Sequence, residues 1–235
     1  MSNSLIALSS ETHSQLRFSP KADFSFAKKT HICPLLHSEL SLAAQYYPVV
    51  FPSGKGVITP QVMLSVEPGT NPSVAENGSW QGGYLPLHFR RYPFYLGREA
   101  DADQGIILFD KTATQLSEKE GRPLYQQEEN TYVASPVLED IKKNLVLFDQ
   151  EYQKTRALCS LLQNAKVLKE GKLSLRINGQ EQTVRGFAAV DWDAVTKLDD
   201  QTLANWTRIG LIQLIHIHLQ SIKDHFKQDH TSTAS

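Results

Sequence analysis

A chain of 235 residues, 40% hydrophobic and 21% charged, carries enough apolar side chains to bury a core and is too balanced to stay disordered. Its 24 lysines and arginines against 25 aspartates and glutamates leave no overall field to draw it to nucleic acid or to an anionic membrane. One large domain is expected, and nucleic acid is not an expected partner.

Met1 to Phe18 lacks a basic stretch followed by a continuous apolar one, so no signal peptide is expected and the expected compartment is the cytoplasm. Residues 1–29 are polar and aperiodic, anchored by Phe18, Phe24 and Phe26, and are expected to form an N-terminal arm on a globular domain spanning 30–228. From Pro34 the spacing of Leu36, Leu40 and Ala43 predicts a helix up to Tyr46-Tyr47, stopped by Pro48. Val49–Phe51 and 57–66 read as strands joined by Pro52-Ser53-Gly54-Lys55-Gly56. The Pro, Gly and Asn content of 67–83 predicts loop, followed by a short helix over Leu85–Arg91. A buried strand is expected around Ile106-Ile107-Leu108-Phe109, and 111–130 reads as charged and turn-rich.

The clearest helix begins at Ser135-Pro136, where serine suits the N-cap, proline the first turn, and Glu139 and Asp140 the positive end of the helix dipole. Leu138, Ile141, Leu145, Phe148, Tyr152, Cys159 and Leu162 form its apolar stripe. Lys172–Ile177 and Gln182–Val190 flank Asn178-Gly179, a strong signal for a β-hairpin. Two helices follow, Leu198–Trp206 and Ile209–Lys227, the second with Ile212, Ile215, Leu219, Ile222 and Phe226 on one face. Residues 229–235 are expected to be a flexible tail. Strands and helices mix without βαβ repeats, so the fold class is α+β: a single domain with antiparallel hairpins, one long central helix and a C-terminal helix. Its most apolar stretch, Ile209–Leu219, is far shorter than the roughly 20 residues a bilayer span needs, so no transmembrane segment is expected.

Chemical motifs are sparse. Gly54-Lys55-Gly56 lacks both the earlier glycine and the following Ser or Thr of a phosphate loop, and there is no G-x-G-x-x-G, G-x-S-x-G or H-E-x-x-H. Cys33 and Cys159 are too few for a disulfide framework, and Cys159 reads as a core thiol. His216 and His218 are two apart on a helix and point to different faces. His31, His37 and Glu39 match no recognised metal spacing, so no metal or cofactor is expected. Asp191 and Asp193 are expected to cap the segment after the hairpin.

The densest segment is Trp80-Gln81-Gly82-Gly83-Tyr84, continuing through Arg90-Arg91 to Phe94. Read as a binding site, Gly82 and Gly83 let backbone approach a ligand, Trp80 and Tyr84 stack, and Arg90 or Arg91 grips a carboxylate or phosphate; were the chain an enzyme, His37 or Glu39 would handle protons. Read as structure, the same residues make a tight corner whose arginines cover aromatics.

This segment, His31-Ile32-Cys33-Pro34-Leu35, Tyr46-Tyr47-Pro48-Val49-Val50-Phe51, Gly186-Phe187 with Val190-Asp191, and the closing Ile209-Gly210-Leu211-Ile212 and Ile215 to Ser221 together resemble the bacterial SapC family, from about residue 30 to about residue 226. The chain departs from the family's usual residues at Asp191-Trp192 and His216-Ile217. The resemblance implies an accessory or binding protein linked to surface-layer, peptide-transport or nutrient-uptake systems, with no catalytic residues to carry over. The expected partner is a protein or a small anionic ligand. The alternative is an enzyme acting on a peptide or carbohydrate-derived small molecule that bears an anionic group.

Overall fold

The structure, a computed structural model, describes residues 4–54, 56, 58–97, 105–177 and 180–227, and the side chains of these except 173–182, 226 and 227. It is a mixed α+β protein of antiparallel sheets and helices. Its backbone contacts group into two compact units: residues 1–26, 75–80 and 88–150 form the first, and 27–74, 81–87 and 151–235 the second. The helix Pro136–Asn164 contributes its residues up to Gln150 to the first unit and the rest to the second.

In the first unit Ile106–Asp110 is the middle strand of three, paired antiparallel with Leu5–Ala7 on one side and Phe94–Gly97 on the other. Residues expected to be an arm thus supply a strand, and Phe18 packs edge-to-face on Phe94. Ser135 Oγ accepts the Leu138 N–H at 3.3 Å and donates to Pro123 O at 2.7 Å, so the expected cap both starts the helix and ties it to the short strand Arg122–Pro123. Leu138 and Leu145 then bury with Phe94, Phe109 and Leu124.

The second unit is built on a five-stranded sheet in the order Leu168–Glu170, Phe187–Val190, Val49–Pro52, Gln61–Met63, Ile32–Pro34, with all neighbours antiparallel. Here the expected helix from Pro34 is corrected. Ile32–Pro34 is strand, and helical backbone starts only with a 3₁₀ turn at His37–Glu39 and continues through Leu40–Ala43. Pro34 is compatible with a strand because this is the outermost one, where an N–H is dispensable.

The expected hairpin is present as Leu173–Ile177 paired with Gln180–Val184, Ile177 standing opposite Gln180; the turn residues Asn178 and Gly179 lie outside the described residues. The second strand does not run on to Val190. Gly186, at φ 87°, turns the chain out of the hairpin, and Phe187–Val190 joins the large sheet instead. Leu168–Glu170, unmarked by the sequence reading, is that sheet's outer strand.

The C-terminal helix Leu211–Lys227 buries Leu211, Ile215, His218 and Ser221, while Ile212, Leu219 and Ile222 are half-buried; the Phe226 side chain is outside the described residues. His218 is fully buried. Its Nδ1 stands 2.8 Å from Val49 O, which can only accept, so Nδ1 carries the proton. Nε2 then accepts the Val190 N–H at 3.1 Å. The two strands pair directly only through Phe187–Pro52 and Ala188–Phe51; the same register, continued two residues further, would set Val190 against Val49, and the imidazole spans that gap. Ser221 Oγ completes the joint by accepting the Val49 N–H and donating to His218 O.

Burial pushes the His218 pKa from 6.5 down to about 4. As pH falls through this window the unfolded chain binds a proton that the folded chain refuses, so stability falls with pH by up to about 1.4 kcal/mol per unit from this group. Below about pH 4 both states are protonated and the loss stops growing. We expect urea unfolding of the wild type to show this acid limb. His218→Leu should start less stable by about 2 kcal/mol or more, because two buried backbone groups lose their partner, and should show a shallower limb.

Candidate functional site

The sequence candidates divide between the units. Glu39, Gly82, Gly83, Tyr84 and His37 fall in the second, and Trp80, Arg90 and Arg91 in the first.

Glu39 is 2% exposed. Its Oε1 accepts the Leu36 N–H at 2.8 Å, closing the turn it stands on, and its Oε2 accepts both the Leu87 N–H and the Tyr84 hydroxyl at 2.9 Å. The carboxylate therefore fastens the strap 81–87 to the turn at 36–39. Other contacts hold the same strap. Gln81 N–H donates to Ser73 O, and the Tyr47 hydroxyl donates to Tyr84 O. Gly82 and Gly83 leave no room for a Cβ, which would collide with the Tyr47 hydroxyl at one and the Tyr46 ring at the other. The backbone approach that these glycines permit is an approach to two tyrosines.

His37 is half-buried two residues earlier. Its N–H donates to Thr155 Oγ1 at 2.9 Å, its Nδ1 lies 3.2 Å from the same oxygen, and Glu151 stands 3.7 Å away. The Lys154 ammonium first, and Ser38 and His37 behind it, hold the Glu151 carboxyl below its ordinary range. Thr155 is fully buried, a polar break in the helix stripe, and donates to Glu151 O. The cavity beneath, lined by His37, Leu40, Phe51, Thr155, Cys159 and Ile215, measures about 20 Å³, room for about one water. Burial raises the Cys159 thiol to about 12, so it is an inert core group.

In the first unit the Arg91 guanidinium lies 4.3 Å from the centre of the Phe148 ring and 4.8 Å from that of Tyr95. It also faces His88 Nδ1 at 3.3 Å. Burial first, and the Arg91 charge second, lower the His88 pKa to about 4, so at neutral pH the imidazole can accept from the guanidinium. Arg90 is exposed. Trp80 packs against Phe24 and Phe89, while Phe26 stacks flat on Tyr92 at 3.7 Å. The Trp80 indole N–H is buried with no acceptor among the described residues.

Two open grooves lie in the second unit, along the outer strand Leu168–Glu170. One, of about 460 Å³, is lined by Ile58, Gln163, Lys166, Leu168 and Ala188 among others. The other, of about 470 Å³, has Phe187, Ala189, Trp192, Leu219 and Ile222 in its wall with Lys172 and Asp193 beside them. Lys169 and Glu170 line both. Asp191 takes the N-cap position of the short helix Trp192–Val195, as expected, but its carboxylate is drawn to Lys169 at 3.0 Å, which lowers its pKa. His216, exposed on the C-terminal helix, packs its ring 4.6 Å from Trp192. Sequence reasoning passed over these grooves because a triplet such as Leu168-Lys169-Glu170 carries no pattern of its own.

Among the described residues no three His, Cys, Asp or Glu side chains converge as metal ligands, and no helix is long and apolar enough to cross a membrane. A family model described as SapC matches residues 8–227. The chain belongs to the SapC family. No curated protein and no solved structure matches it.

Two outcomes are expected. Glu39→Ala should cost about 3 kcal/mol or more in urea unfolding, since it strands the Leu36 and Leu87 N–H groups, and hydrogen exchange should quicken at those two amides first. Arg91→Lys, keeping the charge but losing the planar cation that lies against two rings, should lower stability by about 1–2 kcal/mol in thermal unfolding.

Proposed function

We propose that this SapC-family protein is a non-catalytic accessory protein that binds a peptide or a small anionic ligand in a surface-layer, peptide-transport or nutrient-uptake system. The observation that carries the reading is the employment of Glu39. It is the carboxylate best placed in sequence to act as a general base, and both its oxygens are engaged by Leu36, Tyr84 and Leu87. A base must reach a substrate proton, and a carboxylate buried under its own strap does not. The neighbouring His37 opens onto a space that holds about one water, not a substrate. The two grooves flanking Leu168–Glu170, by contrast, are of the size that holds small ligands or side chains of a partner.

A thermal-shift screen against short peptides, sugars, 2-oxoacids and divalent metals tests the reading, because whatever binds the folded state alone raises the unfolding temperature. The expected result is stabilisation by a peptide or an anionic compound, with the compound recovered unchanged by mass spectrometry after prolonged incubation. Turnover of the stabilising compound that disappears in Glu39→Gln would overturn it in favour of an enzyme acting on a peptide or a carbohydrate-derived anion.

A further inference from the structure

The outer strand Leu168–Glu170 presents its backbone in a definite pattern. Asp191 N–H donates to Val167 O, and Gly171 N–H to Phe187 O. With Lys169 opposite Ala189, the residues that exchange hydrogen bonds with the inner strand are 167, 169 and 171. Leu168 and Glu170 therefore turn their N–H and C=O groups away from the sheet. Among the described residues no strand lies beyond them. The result is two donors and two acceptors in a row with the two-residue period of an extended chain.

The two grooves straddle this edge. Ala188 lines one, and its neighbours Phe187 and Ala189 line the other. Since successive strand residues face opposite sides of a sheet, the grooves lie on opposite faces, and Lys169 and Glu170 are the residues they share. An extended chain laid along the edge would drop alternate side chains into the two grooves. One groove offers Ile58, Leu168 and Ala188, and the other Phe187, Trp192, Leu219 and Ile222. The charges pick the ends. Lys169 is neutralised by Asp191, while Lys166 and Lys172 bracket the strand with no carboxylate partner among the described residues.

We propose that Leu168–Glu170 is a docking edge for an extended peptide segment of a partner protein, added antiparallel or parallel as a sixth strand, with β-branched residues at its centre and acidic residues at its ends. This rests on the reading of the chain as a binding protein and names the partner class. Main-chain hydrogen bonds supply affinity in such additions, and the alternating pockets supply selectivity.

The test uses the full-length protein and a fluorescein-labelled peptide, Asp-Thr-Val-Thr-Val-Thr-Asp, in fluorescence polarisation. Glu170→Pro removes an N–H that the fold does not use, at an edge position where proline is tolerated; Glu170→Ala removes the side chain alone. We expect saturable binding, weakened at least about tenfold by Glu170→Pro, the size of one lost hydrogen bond, and changed less than about threefold by Glu170→Ala. If Glu170→Pro proves unstable, the peptide N-methylated at its valines replaces it, and it too should bind at least about tenfold more weakly to the wild type. Exchanging the terminal aspartates for lysines should also weaken binding.

Absence of binding up to about 1 mM peptide, equal effects of the proline and alanine variants, or equal binding of the N-methylated peptide would each overturn the proposal. So would a dimer that Glu170→Pro disperses while the peptide does not bind, since the edge would then belong to a second copy. The two readings fail separately. Stabilisation by some other ligand without peptide binding sinks the docking edge alone, and turnover of a substrate with peptide binding intact sinks the non-catalytic reading alone.

Discussion

The second unit hangs on one buried imidazole. Val49–Pro52 and Phe187–Val190 pair through two residues each, and beyond them His218 carries the connection by donating to Val49 O and accepting from Val190 N–H. A direct backbone bond would need the strands closer, whereas an imidazole spaces them and joins both to the C-terminal helix. Position of the outer strand follows from this. Val190 bonds inward to His218, so the residues that bond outward from the same strand are 187, 189 and 191, and these fix Leu168–Glu170 in register. The edge, the ion pair of Lys169 with Asp191 and the seat of Trp192 are all downstream of one neutral histidine. Neutrality is essential to it, because a protonated ring would set a second N–H against the Val190 N–H.

Glu39 works by the same physics with the opposite charge state. A buried carboxylate is tolerated only when its oxygens are satisfied, and here backbone and phenol donors satisfy them. Both groups look like candidates for chemistry when taken singly, and in the fold both serve as acceptors for main chain that would otherwise be buried unpaired. Thr155 and Ser221 extend the habit, each passing a hydrogen bond back to its own helix while receiving one from a neighbouring segment. Such groups hold irregular backbone in place, which a chain with short strands and a long loop over 67–83 requires.

What the sequence made legible was local. Ser135-Pro136 announced the long helix because capping chemistry is settled within four residues, and Asn178-Gly179 announced its hairpin because a two-residue connection admits few backbone conformations. Pro34 misled because a proline serves a helix's first turn and an edge strand equally well, and only the partner strand decides. Gln182–Val190 read as one strand since the break at Gly186 depends on which sheet Phe187 joins. His218 and Thr155 were hidden on stripes that apolar periodicity should fill, and nothing in the sequence distinguishes a buried polar group with partners from one without. Of the candidate site, Glu39 and Tyr84 come together as a fastening between segments that no sequence spacing relates. The outer strand had no signal, since three residues of mixed polarity form a strand only when a neighbour offers a ladder.

The edge itself has an ordinary alternative explanation. Free strand edges invite aggregation, and proteins blunt them with short length and with lysines. Leu168–Glu170 is three residues long and is flanked by Lys166 and Lys172, which fits that protective role. Protection, though, concerns only the edge, and is best served by bulky or charged side chains crowding both faces beside it. Here both faces are open instead, one over Ile58 and Ala188 and the other over Phe187 and Trp192, each with space of some hundreds of cubic ångströms. Apolar floor beside unpaired main chain is the combination that strand addition needs and that protection alone would avoid. The lysines then act in both roles, repelling the lysine-rich edge of another copy and favouring a strand with acidic ends, so that selectivity against self-pairing and for a partner arise from the same two charges.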